Sequence, residues 1–233
     1  MNLIEKGLRQ CVNVIKPVMP GFREEEGIIS YQDDDYVEYV ERVRKENNVE
    51  KVVVLGYSMG GRTALNYTIK YPERVEKLIL VDSAGIDFII PVLKFSWGKR
   101  IMKTMLTPAL KFSFVQELLG KSDFVDYHSE VYRLGKQWVA DMMKVPVIRK
   151  NFVEILTTIG KPIPDLENKL KGLIIPTLLL WAKDDKTAKI SSAYWLEEKL
   201  ENCQLYILPG YRHMAPMEKS DFYIEHIMEY MEV

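Results

Sequence analysis

The sequence is short of the features that would tie it to a redox framework, a membrane span or a polyanion. Its two cysteines, Cys11 and Cys203, are too few for a disulfide framework and do not make a metal-ligand pair. No apolar run approaches the roughly 18–20 residues that cross a bilayer. The opening stretch MNLIEKGLRQ interleaves acidic and basic residues where a signal peptide needs an unbroken apolar run. An excess of one charge is also missing, since 32 Lys and Arg stand against 33 Asp and Glu. Such a balance gives no general attraction to nucleic-acid phosphates or to an anionic membrane, so neither is expected as a partner. A reducing cytoplasm is the expected location. Histidine is scarce too, with 3 in the chain, so any imidazole chemistry rests on His128, His213 or His226.

What is present is a core-forming chain of ordinary balance, 47% apolar and 28% charged over 233 residues. Three apolar runs without alternation, VVVL (52–55), LILV (78–81) and IIPTLLLW (174–181), predict strands buried on both faces. CVNVIKPV (11–18) and QLYIL (204–208) are weaker candidates. Helical spacing lies between them. In YQDDDYVEYVERVRKEN (31–47), Tyr36, Val37, Val40 and Val43 form one stripe, with acids early and bases late. GRTALNYTIKY (61–71), SSAYWLEEKL (191–200) and Ser220 to Met231 also carry helical spacing. Alternating strand and helix predicts an α/β fold, a parallel sheet wrapped by helices. From 86 to 173 there are only helix-like segments rich in Met, Phe, Trp and Leu, such as WGKRIMKTML (97–106), PALKFSFVQELLG (108–120) and SEVYRLGKQWVADMMK (129–144). This stretch is expected to be a lid inserted into a core made of 1–85 and 174–233.

GYSMG (56–60) fits the pattern G-x-S-x-G between an expected strand and an expected helix. That is the context of a sharp turn projecting the Ser58 hydroxyl above a sheet, with helix N-terminal N–H groups aimed at a developing negative oxygen. A serine hydroxyl needs a base. His128 falls in the helical insertion and His226 in the tail helix, where packing or surface roles are expected. His213, in LPGYRHMAPME, follows the last strand, where a parallel sheet places functional groups. An acid to orient the imidazole is offered by WAKDD after TLLL, as Asp184 or Asp185.

These motifs resemble the α/β-hydrolase fold family from about Val12 onward. The matching segments are VMPGF (18–22), GYSMGG (56–61), YPERV (71–75), LILVDSAG (78–85), LLLWAKDD (178–185) and GYRHMAPME (210–218). The resemblance implies the order Ser58, Asp185, His213. It selects Asp185 over Asp184, because the family's acid usually lies four residues after the tryptophan, although Ala182 stands where glycine is usual. It makes Met59 N–H an oxyanion donor and the helical insertion a cap. Asp82, at a position where some members carry the acid, is expected to be a turn carboxylate.

The resemblance also marks a shortage. In the family VMPGF follows the fourth strand; three strands come before that one, and the loop after the third, commonly with His-Gly, supplies a second oxyanion donor. Neither is present, so the chain is expected to be N-terminally shortened. It is expected either to be a piece of a longer protein or to pair 12–18 directly with 52–56 in a sheet of about five strands, with helix 1–10 on the second face. The implied activity is that of a serine hydrolase cleaving a carboxylic ester or similar acyl compound. An apolar substrate is expected, lined by Phe88, Trp97, Met102, Met105, Phe112, Phe114, Trp138 and Met142 of the lid. The alternative is a catalytically impaired relative that binds a ligand or partner. No metal or organic cofactor is implied.

Overall fold

The computed structural model describes residues 2–22, 30–87 and 89–232. Its centre is a four-stranded parallel sheet in the order β1 (Val52–Tyr57), β2 (Val75–Val81), β3 (Thr177–Ala182), β4 (Cys203–Leu208). Helices cover both faces: α1 (Asn2–Leu8), α2 (Asp33–Glu46), α3 (Met59–Lys70), and, further along the chain, the helices after β3. Alternation along the central strands divides the core in two. Leu78, Leu80, Leu179 and Trp181 face Ala64 and Leu65 of α3 and Leu196 of the helix after β3. Ile79, Val81, Leu178 and Leu180 face Ile4 and Leu8 of α1 and Tyr223 and Ile227 near the C-terminus. The expected helix at the N-terminus therefore does cover the second face.

The expected strand at 12–18 does not form, and the sheet has four strands rather than about five. Residues 13–19 have no regular secondary structure and make no ladder with β1, whose described partner is β2 alone. Pro17 has no N–H to give, and Ile15 and Val18 are 37% and 39% exposed. The carbonyls of Val18 and Pro20 accept the hydroxyls of Tyr39 (2.9 Å) and Tyr36 (3.3 Å) of α2 instead. Val12 and Val14 still pack on the α1 side of the sheet. β1 is left as an edge, with Val52 to Leu55 half-buried.

Between β2 and β3 the described residues hold helices and no strand. In order they are α4 (Gly98–Ile101), a π-helical turn (Met102–Leu106), α5 (Thr107–Ala109), α6 (Ser113–Gly120), α7 (Glu130–Lys144), α8 (Pro146–Ile159) and α9 (Leu166–Leu170). Leu93, Met102, Leu110, Met143, Ile148 and Val153 give them a core of their own. Of the residues expected to line an apolar pocket, Met102 lies in that core and Met142 packs against it. Trp97, Met105, Phe112, Phe114 and Trp138 are exposed, and Phe88 lies outside the described residues. After β3 come α10 (Ile190–Lys199), β4, α11 (Ala215–Glu218) and α12 (Ser220–Met231).

The junction of β1 and α3 is a crowded turn. A Cβ on Gly56 would stand 2.2 Å from the Gly60 carbonyl oxygen, and one on Gly61 would stand 2.5 Å from Ser83 Oγ, whereas one on Gly60 would meet nothing within 4 Å. The second glycine of the G-x-S-x-G pattern is thus free of steric demand, and the demand falls on its neighbour Gly61. Gly56→Ala is expected to cost toward the top of the roughly 1–3 kcal/mol typical of overpacking. Gly60→Ala is expected to be neutral or to stabilise by roughly 0.5–1 kcal/mol, the gain of alanine over glycine inside a helix. Denaturant melts of the two variants check this, and equal losses would contradict it.

Candidate active site

Ser58 takes φ +53° and ψ −117° between strand and helix, a left-handed backbone that a residue with a side chain adopts only when its surroundings hold it there. Those surroundings are the end of β2. Ser58 N–H donates to the Val81 carbonyl at 3.0 Å, and its own carbonyl accepts from Ala84 N–H (3.0 Å) and from Arg62 N–H (3.2 Å). Met59 is the first residue of α3, so its N–H has no carbonyl within the helix to bond and stays available at the turn.

The structure brings Ser58, Asp185 and His213 together although they are far apart in sequence. His213 Nε2 lies 2.9 Å from Ser58 Oγ, and Nδ1 lies 2.6 Å from Asp185 Oδ2. The other Asp185 oxygen accepts N–H groups from Thr187 (2.7 Å) and Ala188 (2.9 Å). Both Asp185 and His213 are buried. Burial works against a charged imidazole, but the hydrogen bond and charge of Asp185 outweigh it, and Asp123 adds to the effect. The His213 pKa therefore sits above its ordinary value.

The other sequence candidates separate cleanly. Asp184 is exposed, and its N–H donates to the Tyr211 carbonyl. Asp82 is wholly buried at φ +41°. Its Oδ1 accepts the Ala182 N–H at 2.8 Å, and burial, reinforced by nearby Asp185, raises its pKa well above the carboxylate range. The Asp82 carboxyl ties the end of β2 to β3, the neighbouring strand, a cross-strand contact where a turn role was expected. His128 is exposed, and His226 of α12 donates to the Phe222 carbonyl between the rings of Tyr206 and Phe222.

Several neighbours of the site carry no sequence signal. Tyr57, the variable second residue of the motif, donates its hydroxyl to the His213 carbonyl at 2.7 Å, with its ring 5.2 Å from the imidazole. The His213 loop is also clasped to residues 123–127 of the helical segment. Met214 N–H donates to the Asp123 carbonyl (2.9 Å), and Arg212 donates to the Phe124 carbonyl and the Tyr127 hydroxyl. The Glu218 carboxylate accepts the N–H groups of Val125 and Asp126. The Thr187 hydroxyl donates to Asp123 Oδ1 at 2.8 Å, while its N–H holds Asp185. Neither periodicity nor local spacing pairs these residues, because the contacts join segments 64 to 156 residues apart. Among the described residues no group of three or more His, Cys, Asp or Glu is placed to hold a metal ion, and no helix is long and apolar enough to cross a membrane.

Comparison with known proteins agrees with this architecture. A family model described as alpha/beta hydrolase fold matches residues 13–220. The 2-hydroxy-6-oxo-6-phenylhexa-2,4-dienoate hydrolase of Burkholderia cepacia is 25% identical over 211 residues, covering 89% of this chain and 73% of that protein. The 2-hydroxy-6-oxononadienedioate/2-hydroxy-6-oxononatrienedioate hydrolase of Escherichia coli is 25% identical over 236 residues, covering 98% of this chain and 78% of that protein. The structure of the 2-hydroxy-6-oxo-6-phenylhexa-2,4-dienoate hydrolase from Rhodococcus sp. strain RHA1 superposes with a TM-score of 0.80 at 20% identity, over 100% of this chain and 84% of its own. These relatives are hydrolases by name. The family match runs through the strand carrying the elbow and on past His213, and on that ground the chain belongs to the α/β-hydrolase family.

Proposed function

We propose that this chain is a serine hydrolase acting on a carboxylic ester or a similar acyl compound. The observation that carries the reading is the buried imidazole of His213 spanning Ser58 Oγ and the Asp185 carboxylate. Ser58 Oγ attacks the acyl carbon while His213 Nε2 takes its proton, so the carbonyl oxygen becomes an oxyanion beside Met59 N–H. When the tetrahedral intermediate collapses, the bond to the leaving group breaks and His213 returns the proton to it. Water attacks the acyl-enzyme by the same route, giving the acid and free Ser58. Asp185 fixes the tautomer, with its second oxygen already engaged by two backbone N–H groups. The helical segment acts as a cap, and its clasp on the His213 loop positions the base.

The curated relatives support a second reading. Their named substrates are oxo-dienoates with a ketone and no ester. Hydrolysis at such a ketone breaks a carbon–carbon bond, with the same attack by the serine and a carbon leaving group that must be protonated.

A fluorophosphonate probe tests the shared first step without choosing a substrate. Labelling is expected at Ser58, absent in Ser58→Ala, and slowed by about 10⁴ in Asp185→Asn, the scale seen when a triad loses its orienting acid. A folded protein that does not label would instead indicate a relative that binds without turnover. Turnover of a panel of esters against a 6-oxo-dienoate then separates the two substrate classes.

The labelling rate should also follow the protonation of His213. Only the neutral imidazole accepts the serine proton, and its pKa is raised. The rate is therefore expected to climb with pH through a midpoint above the ordinary imidazole value of about 6.5. Asp123→Asn, which removes a negative charge near the ring, should move that midpoint to lower pH. A midpoint that stays put would show that Asp123 acts on the loop by hydrogen bonding alone.

A further inference from the structure

The near-neutral charge of the whole chain hides a local excess in the cap. From 88 to 116 the sequence contains Lys94, Lys99, Arg100, Lys103 and Lys111 and no Asp or Glu. Glu154 of α8 pairs with Lys99 at 2.7 Å and with Lys103. Lys94, Arg100 and Lys111 have no carboxylate partner among the described residues, and the Lys111 ammonium rests 4.8 Å from the Phe112 ring centre.

The same stretch is apolar on its outer side. Met102 and Leu110 turn inward to the cap core, but Trp97, Ile101 and Met105, spaced four apart along one helical row, are 50%, 39% and 67% exposed. Phe95 extends the row, stacked on Trp97 with ring centres 4.8 Å apart and planes within 8°. Phe112 and Phe114 form a second exposed aromatic pair beside Lys111. An apolar row of this kind held in water costs free energy unless something covers it.

Charge complementarity decides what covers it. A second copy docked through the same face by two-fold symmetry would bring Lys94, Arg100 and Lys111 toward their own counterparts, with no acid from 88 to 116 to meet them. At the surface of an anionic bilayer, aromatic rings settle at headgroup depth while lysine and arginine meet lipid phosphates. We propose that the row from Phe95 to Met105, flanked by Lys94, Arg100 and Lys111, is a peripheral docking surface for an anionic lipid bilayer. The helix lies on the headgroup layer and does not span it. This reverses the expectation of no membrane partner, which rested on a charge summed over the whole chain. The proposal does not depend on the nature of the substrate or on turnover.

Co-sedimentation of the full chain with phosphatidylcholine vesicles, with and without phosphatidylglycerol, tests it. Binding is expected to the anionic vesicles, weak to the neutral ones, and released by salt. Lys94→Gln, Arg100→Gln and Lys111→Gln together should lower partitioning about a hundred-fold, from about 1 kcal/mol per basic residue near the surface. Phe95→Ser with Trp97→Ser should weaken binding while leaving its salt dependence in place. Thermal melting unchanged in every variant excludes misfolding as the cause. No binding to either vesicle, equal binding to both, or binding indifferent to the three glutamines would overturn the proposal. So would a dimer in size-exclusion chromatography that Trp97→Ser dissolves, which would assign the face to a second copy.

Discussion

The whole arrangement hangs on one backbone turn. Ser58 has to leave β1 and enter α3 with no intervening loop, and a left-handed φ is how the chain does it. The strain is sustained because the three hydrogen bonds at its N–H and carbonyl tie it to β2, the neighbouring strand, and to the first turn of its own helix. β2 in turn is fixed by β3 on its other side and by the apolar faces of both layers. The serine is therefore as rigid as the sheet beneath it. Arg62, one turn into α3, extends the hold outward through paired bonds to Asp33 at the start of α2 (2.6 and 2.7 Å) and a bond to the Lys161 carbonyl (2.6 Å).

Environment sorts the carboxyls near the turn into different states. Asp185 and Asp82 are both buried within reach of the same histidine. Asp185 accepts two backbone N–H groups and the imidazole, so its charge has three donors to replace lost water. Asp82 accepts one short backbone bond and a longer one from the Tyr223 hydroxyl (3.4 Å), and it feels Asp185 as a like charge. Two adjacent carboxylates cannot both ionise cheaply in a dry interior, and burial together with Asp185 raises the Asp82 pKa. Asp123 brings a third carboxyl from the helical insertion, its pKa also raised by burial. The bridge through Thr187 means that a shift of the insertion against the sheet would be felt at Asp185 and at the histidine loop together.

The helical insertion joins two physical regimes. Toward the sheet it offers hydrogen bonds, with backbone groups of 123–127 meeting Arg212, Met214 and Glu218. On its outer side, from Phe95 to Phe114, it offers aromatic rings and cations. A helix that is apolar on two sides needs two neighbours, and the insertion's own apolar core supplies one. The sheet has a comparable asymmetry: β1 is half-buried at the edge while β3 is buried throughout.

Much of this was legible in the sequence, and the limit was physical. Buried parallel strands announce themselves as unbroken apolar runs, which located β1, β2 and β3, and β4 followed from a weaker run. Helical spacing placed α2, α10 and α12 within a few residues, since amphipathic periodicity is a local property. The run at 11–18 carries the same local signal, yet strandhood needs a partner at hydrogen-bonding distance. The carbonyl of Val18, at its end, found the Tyr39 hydroxyl instead. The elbow could be read because its glycines, serine and flanking elements are contiguous, although only coordinates distinguish the crowded Gly56 from the roomy Gly60. His213 was legible through its place after a strand, and WAKDD offered Asp184 or Asp185, between which only the resemblance chose. Tyr57, Thr187 and Glu218 were not, since they matter only through contacts made across long loops. Composition likewise could not show which face the cations and aromatics share. The sequence by itself determined the alternation, the elbow and the types of the three residues that the fold brings together. Tertiary structure alone decided their distances, the burial of the second aspartate and the face left open, because each depends on what folding brings alongside.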